Sequence, residues 1–130
     1  MRNAMKYSVA VLFAIVGFGS MRSTFAETRS AKDMQAECRV ALDVLQKKVE
    51  PTFQNTLFAG ECIGYVQGVA DASLTMADNV KWYKICVADS TTTLELIQNF
   101  IQFVDRNPKI SLASTAMLTM LGQQYPCRNK

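Results

Sequence analysis

The chain has 130 residues, 14 basic and 11 acidic side chains, four cysteines and no histidine. Without an imidazole there is no Ser-His or Cys-His dyad, and no cysteine pair has the short spacing of a zinc site. Arg2, Lys6 and Arg22 lie in the first 26 residues, which hold no acidic residue, so residues 27–130 carry 11 charges of each sign. A stretch of formal charge zero lacks the cationic surplus that drives binding to nucleic acid or to an anionic membrane surface.

Residues 1–26 have the layout of a cleavable export signal. Arg2 and Lys6 form a basic head, Tyr7 to Phe18 an apolar run, and Thr24-Phe25-Ala26 places small residues at the minus-three and minus-one positions. The apolar run holds about a dozen residues, short of the roughly 20 that cross a bilayer as a helix. Cleavage before Glu27 is expected, leaving residues 27–130 as one small domain in the periplasm, with no membrane attachment afterwards.

Four helices are predicted in that domain. The first runs from Ser30 to about Lys47, with Met34, Cys38, Ala41, Leu42 and Leu45 spaced by three and four. A connection from Lys48 to Thr56 holds Pro51, Phe53 and Asn55. The second helix spans Leu57 to Ala77 and carries an apolar stripe of Phe58, Cys62, Tyr65, Val66, Val69 and Met76. Asp78 to Ala88 reads as irregular. The third helix starts at a capping box, Thr92 with Glu95, and stops at Asn107-Pro108. Ser111 is expected to cap a fourth helix that ends near Gly122. No segment alternates with period two long enough for a strand, so the fold class is all-α.

An even number of cysteines in a small exported domain predicts disulfides. Antiparallel neighbouring helices bring positions equidistant from their turn together. Cys38 and Cys62 flank Pro51 at 13 and 11 residues, and Cys86 and Cys127 flank Pro108 at 22 and 19. Those pairings are favoured, because Cys62 with Cys86 would require the 78–85 segment to run back along roughly 24 Å of helix.

Gly60, Gly64, Gly68 and Ala72 form a strip of small residues along the second helix. Interior helix glycines cost about 1 kcal/mol each relative to alanine, so a close contact is expected in return. A neighbouring helix of the same chain is the favoured contact, a homodimer seam the other. Asp71 lies on that helix and Asp78 two turns further along, at its end, but this separates their backbones by about 10.5 Å and nothing marks a sugar cleft, so a capping or surface role is expected. No glycine-rich phosphate loop is present. No catalytic residue, metal site or cofactor is assigned, and the chain is not expected to be an enzyme. Trp82, Tyr83 and Lys84 are the partner-binding candidates, since Trp and Tyr dominate protein-binding hot spots. For Trp82 the competing reading, that it covers the core, is the favoured one.

The run Cys62-Ile63-Gly64-Tyr65-Val66-Gln67-Gly68-Val69-Ala70-Asp71, a third cysteine ahead of a capped helix, and the terminal Tyr125-Pro126-Cys127 resemble the exported Rap/Tai-type immunity proteins of type VI secretion, over about residues 35–127. Ala88 departs from that pattern, which carries proline two residues after the third cysteine. The resemblance implies a small periplasmic helical protein that binds a peptidoglycan-cleaving amidase toxin and occludes its active site, often as a homodimer. Gly64, Tyr65, Gly68, Asp71 and Pro126 are the motif positions, expected to be structural. A periplasmic stress chaperone that loosens in acid is the alternative, with a saposin-like lipid-binding module third; two disulfides weigh against easy loosening.

Overall fold

A computed structural model describes residues 28–79 and 83–127. Residues 1–26, expected to be an export signal, and Trp82 therefore lie outside the described part. Four helices follow in order: α1 Ala31–Leu45, α2 Phe53–Asn79, α3 Thr93–Arg106 and α4 Ala113–Gln124. Among the described residues there is no strand, and two isolated bridges pair Ser30 with Leu112 and Ile85 with Pro126. The all-α four-helix expectation holds, and both favoured disulfides, Cys38–Cys62 and Cys86–Cys127, are formed.

Local chemistry sets the helix ends. The Ser30 hydroxyl accepts from the Asp33 backbone N–H at 3.0 Å, which starts α1. α1 stops two residues short of the expected Lys47 because Lys47 itself turns left-handed, at φ 57°. Lys47 N–H then donates to Val44 O at 3.0 Å and Lys48 N–H to Asp43 O at 2.9 Å, the paired bonds that close a helix C-terminus.

α2 begins four residues earlier than the sequence reading placed it. Thr52, just after Pro51, accepts from the Asn55 N–H through its hydroxyl at 3.2 Å, so Phe53 and Asn55 belong to the helix. α3 starts at Thr92 as expected, the hydroxyl accepting from Glu95 N–H at 3.2 Å. The Glu95 carboxylate, however, accepts from the Tyr125 hydroxyl at 3.0 Å, tying the C-terminal segment to α3. Ser111 does not cap α4. Helix α4 begins at Ala113, whose N–H donates to Arg29 O at 3.0 Å, while Ser111 O accepts from Ala31 N–H at 2.7 Å. A neighbouring chain segment thus takes the place of the side-chain cap.

The core forms where the helices converge on α1, which touches all three others. Met34, Val66, Ile97, Phe100, Met117, Met120 and Leu121 are its large fully buried side chains. Truncating Phe100 to alanine is worth about 3–5 kcal/mol in such a setting. Cys38 and Cys62 sit in the same core at 0% exposure and join α1 to α2. At the other end, Cys86 N–H donates to Tyr125 O at 2.7 Å and Cys127 N–H to Lys84 O at 2.9 Å, so backbone and disulfide together fasten the chain end to the 83–92 segment.

The glycine strip corrects an expectation. A Cβ built on Gly60, Gly64 or Gly68 meets no atom within 4 Å. Among the described residues, no helix packs on that strip. The buried side of α2 is formed by Ala59, Cys62, Val66, Ala70 and Ser73, and the glycines face the opposite way. Met76, read as part of the apolar stripe, is exposed as well.

Candidate protein-binding surface

α2 decides what the molecule shows to its surroundings. With its core-facing residues fixed, a rotation of about 100° per residue places Phe53, Leu57, Gly60, Gly64, Gly68 and Asp71 along the outward line. Phe53 is 87% exposed, and Leu57 one turn on is also open to solvent. Leu45 at the end of α1 and Val49 in the connection are exposed at the same end of the α1–α2 hairpin. An isolated exposed apolar residue is ordinary, but four large ones within a thirteen-residue stretch at one end of a hairpin make that end the candidate interaction surface. Phe53, Thr56, Leu57, Gly60 and Glu61 line a shallow groove of about 450 Å³ there. The missing glycine side chains let another backbone or side chain lie directly on α2.

Charge borders this surface in an ordered way. Arg29 reaches Glu37 of α1 at 3.0 Å and also bonds Glu61 of α2. Burial pushes the Glu37 carboxyl above its ordinary value, while the Arg29 charge pulls it down. On the far side of α1, Asp105 accepts from Gln35 and from Arg39, each at 2.8 Å, which holds its carboxyl below the usual range.

The candidates named from sequence divide sharply. Tyr83 is half-buried against the core, and its hydroxyl donates to Ser73 Oγ at 3.0 Å, which in turn donates to Val69 O at 2.8 Å. Lys84 is exposed, and its carbonyl serves the C-terminal clip. Trp82 is outside the described residues. Of the motif positions, Gly64, Gly68 and Asp71 are exposed together on α2, and Pro126 pairs with Ile85 at the clip. Tyr65 is half-buried; its hydroxyl oxygen is buried with no hydrogen-bond partner among the described residues, and burial raises its pKa.

Sequence reasoning missed Phe53 and Leu57. The signal was present: Pro51-Thr52 with Asn55 three residues on is a helix start, after which Phe53, Leu57, Gly60 and Gly64 fall on one line.

All four cysteines are in disulfides, and no group of three His, Cys, Asp or Glu among the described residues could hold a metal ion. None of the described helices is long and apolar enough to cross a membrane. A family model, that of the Rap1a immunity proteins, matches residues 30–127. No curated protein and no solved structure matches the chain.

Proposed function

Because the chain belongs to the Rap1a immunity proteins, we propose that it neutralises a peptidoglycan-cleaving amidase delivered by type VI secretion, by laying the apolar end of its α1–α2 hairpin over the enzyme's active-site cleft. Membership of the family makes it a toxin-neutralising immunity protein that binds a partner protein. The observation carrying the finer reading is Phe53, 87% exposed at the end of a hairpin cross-linked by Cys38–Cys62. A large rigid aromatic on a scaffold that loses little entropy on docking is what a stoichiometric inhibitor requires. Neutralisation by occlusion needs no catalytic group of the inhibitor's own.

Export through residues 1–26 would deliver the domain to the periplasm, where such an amidase works and where two disulfides persist. The resemblance also carries a homodimer, and the exposed Gly60–Gly64–Gly68 face gives two α2 helices a place to cross. A size that rises with protein concentration in sedimentation would support that pairing, and a monomer at every concentration would exclude it.

The functional test is protection. Cells exporting an amidase encoded at the same locus should survive when this protein is co-exported and lyse when it is absent. Equal lysis in both cases, with the protein present and folded, sinks the proposal.

A further inference from the structure

A second cleft lies on the other flank of α2. Gln67, Ala70, Asp71 and Leu74 of α2, Val87 to Asp89 and Thr91 of the connecting segment, and Thr93 and Leu96 of α3 enclose about 440 Å³. Its floor is apolar and well buried: Ala70 is 6%, Val87 7% and Leu96 4% exposed. Its rim is polar, with Gln67 Nε2 donating to Thr93 Oγ1 at 2.9 Å across the α2–α3 gap.

Two carboxylates, Asp71 and Asp89, stand on that rim, and neither receives a hydrogen bond or salt bridge from any described residue. Of the other carboxylates, Glu37 and Glu61 share Arg29, Asp105 holds Arg39 and Glu95 accepts from Tyr125, while Asp43, Glu50 and Asp78 are likewise unpaired by any described residue but do not line this cleft. α2 itself cannot supply a counter-ion, because its 27 residues include Glu61, Asp71 and Asp78 but no lysine or arginine. For the same reason α2 of a second copy could not supply one. Asp89 near the start of α3 gains from the helix dipole. That does not account for Asp71, and the first-turn N–H of Glu95 is capped by Thr92 instead.

We propose that this cleft receives an arginine or lysine side chain of the bound partner protein, its aliphatic stem on Ala70, Val87 and Leu96 and its cationic head between Asp71 and Asp89. Long basic side chains bury an apolar stem while keeping the charge at a polar rim, and this cleft has that division built in. Two carboxylates with hydroxyls of Thr91 and Thr93 beside them match the several N–H donors of a guanidinium. Two carboxylates alone do not form a metal cage, and no group of three acidic or sulfur ligands occurs among the described residues. The proposal rests on the partner-neutralising reading above: the hairpin end supplies the apolar anchor, and this cleft selects for a basic residue on the partner.

The probe is Nα-acetyl-arginine-methylamide, titrated into the purified isotope-labelled protein and followed by amide chemical shifts, with the citrulline analogue as the uncharged control. The expected result is a saturable shift confined to the amides near residues 67–74 and 87–96. The citrulline analogue and an Asp71→Asn/Asp89→Asn variant should each bind at least about fivefold more weakly, the loss falling as salt rises. Equal binding of arginine and citrulline, or shifts scattered over other carboxylates, would overturn the proposal. Probe binding that disappears as the protein self-associates would mean that a second copy fills the cleft, which overturns it too. An amidase retained equally by wild type and the double variant, with the probe silent, removes the cleft and leaves the neutralising function standing. A probe that binds as described while no amidase is retained leaves the cleft and removes that function.

Discussion

The Arg29 guanidinium lies 3.0 Å from Glu37 Oε1 and also bonds Glu61, so one cation fastens the segment ahead of α1 to both helices of the hairpin. Burial sets the dominant direction at Glu37, raising its carboxyl above the ordinary 4.5. A carboxyl raised in the folded state holds its proton more tightly there than in the unfolded chain. Its stabilising contribution is therefore full below the ordinary value and is lost as pH rises through the folded value. Glu37→Gln imitates the protonated form at every pH. Urea unfolding of both proteins from about pH 4 to about pH 7 should show the variant gaining stability relative to wild type as pH rises. A difference that stays flat or moves the other way would mean that Arg29 outweighs burial.

Gly64→Ala and Gly68→Ala should each raise stability by about 0.5–1 kcal/mol, because the added Cβ meets nothing and the unfolded chain loses freedom. The same substitutions should weaken partner capture or self-association, because they put atoms on the outward line of α2. Denaturant midpoints and a binding assay on the same samples read both effects. A loss of stability in either variant would return the strip to intramolecular packing.

The disulfides differ in access. Cys38 and Cys62 are 0% exposed, whereas Cys86 is exposed in the 83–92 segment. Graded reductant without denaturant should make Cys86 and Cys127 alkylatable first, as peptide mapping would reveal. Removing Cys86–Cys127, which closes a separation of 41 residues, should cost about 4 kcal/mol, and Cys38–Cys62, with a separation of 24, about 3.5 kcal/mol. Simultaneous release of all four thiols at the lowest reductant concentration would contradict the ordering.

Lys47 holds a left-handed backbone at the end of α1, a conformation that costs a side-chain-bearing residue about 1 kcal/mol more than glycine. Lys47→Gly should raise the melting temperature by a few degrees, on the order of 4–8 °C per kcal/mol in a domain this size. An unchanged or lower melting temperature would show that the lysine side chain contributes more than the turn costs.

The sequence carried the fold well where a single local rule decides. Thr92 and Glu95 mark the start of α3, Asn107-Pro108 its end, and near-equal spacing about Pro51 and Pro108 picks out both disulfides. It carried the surface poorly. Helical periodicity finds two sides of α2 but does not say how far each is covered, and three glycines read as a packing seat turned out to face solvent. Ser111 failed as a cap because the Arg29–Ser30 segment, more than 80 positions earlier, takes the hydrogen-bonding places at the start of α4, and no local pattern announces that. Tyr83, named from sequence as a partner-binding candidate, bonds Ser73 of α2, ten residues back, a contact no local pattern announces.

The central claim is that the apolar end of the α1–α2 hairpin blocks the amidase. Its most direct test measures peptidoglycan cleavage by that amidase at increasing ratios of this protein, wild type against a Phe53→Asp/Leu57→Asp variant. Both side chains are exposed, so the variant should keep the helical content and melting of the wild type. The wild type should abolish cleavage at one equivalent, and the variant should need at least about tenfold more, the loss expected from removing a hot-spot anchor worth ~1.4 kcal/mol or more. A folded variant that inhibits as well as the wild type would contradict the account.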